Sequence, residues 1–147
     1  MKTIETKSAP AAIGPYSQAI LANGFLYTSG QIPLNPETGA IEGQTIEAQA
    51  EQAIKNLGEI LKAAGSDFSK VVKTTCFLAH ISDFTFFIWA LRQLRCRRAF
   101  RTSAIASYFA SQSTPAAVLQ SLICCVSCQE KKAGKIIRQF TNSYILG

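Results

Sequence analysis

At 147 residues and 15.9 kDa, with a formal charge of +6, the chain has the size of one domain able to bury a core. Apolar residues make up 48% of it, which excludes an intrinsically disordered polypeptide. The opening MKTIETKSAPAAIGP has no apolar stretch of signal-peptide type, and five cysteines, an odd number, suit a reducing cytoplasm better than a disulfide framework. The charge is split along the chain. Residues 1–83 carry six lysines, no arginine and eight acids; residues 84–147 carry six arginines and three lysines against the single acid Glu130.

Taken in order, Pro10, Gly14 and Pro15 make an irregular entry. Residues 17–22 and 25–32 read as strands joined by Asn23-Gly24, a two-residue hairpin turn in which both positions need positive φ. PLNPETG (33–39) is a loop. From Ile46 to Ala64 apolar residues recur at three- and four-residue spacing, which predicts a long amphipathic helix closed by Gly65. VVKTTCFL (71–78) then predicts a strand with Val72, Thr74, Cys76 and Leu78 on one face. Ser82-Asp83 is a candidate cap for a second helix through FTFFIWALRQL, with Phe84, Phe87, Ile88 and Leu91 inward. Strand, helix and strand in this order give a two-layer α+β sandwich.

GPYSQAI, LYTSGQIPLNPETG, the helix ending LKAAGS, and VVKTTCFL with the SDF after it resemble the RidA/YjgF family of reactive-intermediate deaminases over residues 1–84. The resemblance implies a chorismate-mutase-like α+β subunit, one RidA-like domain in which 85–147 is a divergent, basic, cysteine-containing tail. It also implies a homotrimer with a pocket at each subunit interface. The activity implied is hydrolysis of 2-imino acids such as 2-iminobutanoate and 2-iminopropanoate to 2-keto acids and ammonia, with no metal and no organic cofactor. Tyr16, Ser29 and Gly30 occupy the family's substrate-binding positions. The family also uses an arginine in a Pro-Ala-Arg-Ser segment that opens a strand, where its planar fork grips the substrate carboxylate.

Beyond residue 84 the pattern departs. SYFASQSTPA (107–116) aligns with the family's helix end and its Pro-Ala, after about fourteen extra residues by the same alignment; this places Ala117 where the arginine belongs and makes 117–126 and 135–140 the last two strands. The family's helix asparagine and last-strand glutamate have no counterpart. Arg92, Arg95, Arg97, Arg98 and Arg101 stand outside any Pro-Ala-Arg context. The change coincides with the loss of acids, as a reading-frame change in the gene would produce, and translating the other frames tests that origin.

Other patterns in the tail point elsewhere. RQLRCRRAFR (92–101) could attract RNA phosphates or an anionic membrane, but no RNA-recognition motif or helix-turn-helix accompanies it. Cys125-x-x-Cys128 has zinc or redox spacing without a second ligand pair; Cys124 lies beside it, and His80 is the sole histidine. Residues 102–129 hold no charge, but frequent Ser, Thr and Gln and the break at Pro115 argue against a membrane span.

Overall fold

The structure, a computed structural model, describes residues 1–93, 105–110 and 119–127. Its strands are β1 (Lys2–Ile4), β2 (Ala19–Ala22), β3 (Phe25–Thr28), β4 (Val71–Leu78), β5 (Ile105–Ala110) and β6 (Leu119–Ser127). Its helices are α1 (Ile46–Ala63) and α2 (Phe84–Gln93). The six strands form one sheet in the order β1-β2-β3-β6-β4-β5. β6 runs antiparallel to both neighbours, so β3 and β4 point the same way, while β5 lies parallel to β4.

Local chemistry fixes the elements. Asn23 and Gly24 take φ of 51° and 78° between β2 and β3, the left-handed pair that an Asn-Gly hairpin requires. The Thr45 hydroxyl accepts from the Ala48 N–H and caps α1. At the other end Gly65 turns left-handed at φ 71°, the Gly65 N–H donates to the Lys62 carbonyl and the Ser66 N–H to that of Leu61, so three residues close the helix. The sequence gives β2 and β3 wider bounds than the fold does. The chain leaves the sheet at Ser29, whose hydroxyl and N–H both turn back to carbonyls of residues 17 and 18.

One core joins the layers. Ala50, Ala53, Ile54, Leu57, Ile60 and Leu61 of α1 are buried against Leu26, Cys76 and Leu78 of the sheet, and Phe87 of α2 enters the same cluster at 1% exposure. Phe84 and Ile88 pack on its margin, as their spacing predicts, but the chain enters α2 through a 3₁₀ turn at Ile81–Asp83. The other face of the sheet is not covered by α1 or α2. There Tyr27 is half exposed, its ring 6.5 Å from that of Phe25 between centroids, and Ile20, Thr75 and Phe77 are half-buried. Burial of Cys76 also pushes its thiol pKa up to about 12, so it stays protonated and unreactive.

Two sequence expectations change here. Val71, assigned to the face away from Thr74, is buried at 2%, whereas Val72 is only half-buried. Val71 pairs with Val126 and Lys73 with Cys125, so β4 spends two residues where β6 spends one, and this bulge reverses the alternation at its start. Ser107–Ala110, aligned with the end of a helix, lie in β5, paired in parallel with β4. A six-residue apolar run does not separate helix from strand by period, and lateral pairing with β4 decided it. β6 spans most of the expected 117–126; residues 135–140 lie outside the described residues.

Asp67 accepts from the Ser69 N–H at 2.7 Å at the start of a short 3₁₀ turn, and these bonds hold its carboxyl below the ordinary 3.8. Such a group contributes stability above its ordinary pKa and loses it as pH falls through the lowered value. Thermal midpoints between pH 5 and about 2 are therefore expected to fall less steeply in Asp67→Asn, which keeps an acceptor that does not titrate.

Candidate functional site

The residues that the sequence singles out flank the β2–β3 hairpin: Tyr16 lies three positions before β2, and Ser29 and Gly30 follow β3. The Ser29 hydroxyl donates to the Ser17 carbonyl at 2.6 Å, and the Ser29 N–H donates to the Gln18 carbonyl at 2.9 Å. Ser29 is thereby fixed to the residue that follows Tyr16. The proton of its hydroxyl is committed, so toward a ligand its oxygen can only accept.

Tyr16 is 53% exposed. Its phenol oxygen accepts from the Ile13 N–H at 3.2 Å, and the Tyr16 N–H donates to the Gly14 carbonyl at 2.9 Å. The ring folds back over Gly14, where a built Cβ would lie 3.8 Å from it; Gly14 also takes φ 129°, which side chains rarely allow. Gly30 is exposed and is not one of the residues with positive φ, so it offers a bare backbone and not a left-handed turn. The two carbonyls after β3 are held from behind: the buried Gln31 carboxamide donates to Ser29 O at 3.2 Å and to Gly30 O at 3.4 Å.

Sequence reasoning missed three buried carboxamides. Gln18, Gln31 and Asn56 are 4%, 6% and 1% exposed, and each binds backbone of the chain around the hairpin base. Asn56 was legible in part, since it falls on the apolar face between Ala53 and Ile60; nothing local marks Gln18. A separate cleft of about 380 Å³ lies between the 33–43 loop and α1 and is lined by Asn35, Glu42, Glu51, Gln52 and Lys55 among others, none of them a residue of the predicted site. Glu42 accepts there from the Asn35 amide and the Thr38 hydroxyl, which lowers its pKa.

Ala117, Arg95, Arg97, Arg98, Arg101 and Cys128 lie outside the described residues; Arg92 falls within α2. Cys124 and Cys125 stand in β6, in register with Thr74 and Lys73. Among the described residues β5 directly precedes β6 in the chain, and residues 101–104, ahead of β5, lie outside the described residues. Arg101 is four positions before Ile105. No helix among the described residues is long and apolar enough to cross a membrane.

Residues 6–96 match the family model described as Endoribonuclease L-PSP. Over 83 residues the chain is 57% identical to the 2-iminobutanoate/2-iminopropanoate deaminase of Rattus norvegicus, covering 56% of this chain and 61% of that protein. The chain therefore spans less than two thirds of that relative's length. The YjgF gene product of E. coli superposes with a TM-score of 0.78 at 33% identity, over 88% of this chain and all of that one. E. coli TdcF, solved with bound serine, gives 0.77 at 30% identity over 86% and 98%.

Proposed function

We propose, from the premise that the chain belongs to the endoribonuclease L-PSP family of RidA and YjgF proteins, that it hydrolyses 2-imino acids to 2-keto acids and ammonia at a rate well below that of its relatives. The observation that carries this reading is the hairpin base itself. Tyr16 is held by its bonds to Ile13 and Gly14 just before β2, and Ser29 by its bonds to residues 17 and 18 just after β3, both within the segment that matches the family.

A 2-imino acid presents a carboxylate beside an electrophilic C=N carbon. Hydrolysis adds the oxygen of water to that carbon, and the nitrogen takes up protons and departs as ammonia. The exposed Tyr16 ring supplies a wall for the short side chain of such a substrate. The Ser29 oxygen, its own proton spent on Ser17, accepts from the imine N–H and orients the C=N bond. E. coli TdcF was solved with bound serine, an amino acid of similar size, which supports a small ligand of this kind. What the chain lacks is a Pro-Ala-Arg segment to fix the carboxylate, and without that fork the carbon is poorly placed for attack. The reaction as read needs no metal or organic cofactor.

The same reading carries a homotrimer in the cytoplasm, in which the sheet face around the exposed Tyr27, opposite α1 and α2, meets neighbouring subunits. The competing reading is a binding module without catalysis, with RNA drawn to residues 92–101.

Imino acid generated in place by a threonine dehydratase separates the two. Keto-acid release is expected to exceed the buffer rate by a small, reproducible factor, and Tyr16→Ala is expected to remove the excess. No acceleration by folded protein would end the enzyme reading; a salt-sensitive shift of labelled RNA would then favour the module.

A further inference from the structure

The N-terminal arm, residues 5–16, carries Tyr16 but adds no strand to the sheet. Ala9, 3% exposed, sits in the core, and one further side chain gathers the arm's polar backbone. The Gln18 carboxamide, 4% exposed, accepts from the Thr6 N–H at 2.7 Å through Oε1. Its Nε2 donates to the carbonyls of Pro10 at 2.8 Å, Thr6 at 3.0 Å and Ala9 at 3.3 Å. Four arm groups thus converge on a residue whose own carbonyl receives the Ser29 N–H. Only a neutral carboxamide fits, because the arm presents one donor and three acceptors.

We propose that Gln18 is the positioning residue of the candidate site: its side chain latches the arm, and the arm backbone in turn sets where the Tyr16 ring lies. The proposal rests on the reading that Tyr16 forms a pocket wall. The ring is tied to that backbone at two points, through the Ile13 N–H and against Gly14, so a loosened arm carries the ring away. Ser29 is different. Its bonds run to main-chain carbonyls of residues 17 and 18 and survive any change of the Gln18 side chain.

Gln18→Leu keeps the volume and removes every arm bond; Gln18→Glu keeps the acceptor and sets negative oxygen against three carbonyls. In the full chain, Gln18→Leu is expected to raise amide exchange at Ile13 and Tyr16, and trypsin cleavage after the exposed Lys7, by about tenfold or more, the loss of one or more well-made buried bonds. Exchange at Ser29 and along α1 is expected to stay within about twofold, since those amides keep their partners. Gln18→Glu is expected to loosen the arm at neutral pH and to recover protection when acid converts the carboxylate to a donor. Simple loss of packing would not reverse with pH.

Equal loosening of arm and α1, or none in either, would overturn the latch. The link to the site is read with 2-oxobutanoate as the probe, whose binding is expected to weaken about tenfold or more in Gln18→Leu. Unchanged binding with a loosened arm would overturn that link. Absence of binding by the unaltered chain would count against the imino-acid reading, and the exchange pattern would still decide the latch.

Discussion

Replacing Asn56 with alanine is expected to lower the stability of the fold by about 2–4 kcal/mol in denaturant unfolding. The side chain is 1% exposed in the middle of α1, donates to the Ile32 carbonyl at 3.1 Å and the Leu34 carbonyl at 2.8 Å, and accepts from Gln52 at 2.8 Å. Truncation strands two carbonyls away from water, and each stranded group costs roughly 1–3 kcal/mol. Alanine's better helix propensity returns only about 0.5 kcal/mol. The effect reaches the candidate site, because residues 32–34 continue the chain from the 29–31 turn. A loss below about 1 kcal/mol would mean that water reaches both carbonyls and replaces the carboxamide.

The helix that carries Asn56 was legible in the sequence to within a residue. Its period and Gly65 are local signals, and the structure uses both; the Thr45 cap, equally local, was not among the expected features. So was the hairpin, because Asn-Gly permits few other turns. The bulge at the start of β4 was not. It arises from how Val71 and Lys73 match Val126 and Cys125 more than fifty residues away, and no window around residue 71 contains that information. β5 was misplaced for a related reason: IASYFA has the composition of several elements, and its parallel pairing with β4 is tertiary. Tyr16, Ser29 and Gly30 are site candidates because they lie in two runs, GPYSQAI and LYTSGQIPLNPETG, that resemble the family. Gln18 and Gln31 act on backbone carbonyls, which every residue has, so no sequence pattern announces them.

The strand order bears on the larger claim. Among the described strands β5 directly precedes β6, and Arg101 is the arginine nearest ahead of it in the sequence, four positions before Ile105 and outside any Pro-Ala-Arg context. A carboxylate clamp works only at close tolerance: displacement by one ångström can lower a rate about 100-fold. The account therefore holds that Arg101 does not serve. It expects the half of the pocket built by residues 14–31 to act almost alone.

The most direct measurement is the rate of 2-oxobutanoate formation from 2-iminobutanoate, taken side by side for this chain, its Arg101→Ala variant and the rat deaminase. The account predicts that this chain runs at least about 100-fold below the rat protein, and that Arg101→Ala changes its rate by no more than about twofold. A rate near that of the rat protein, abolished by Arg101→Ala, would contradict it.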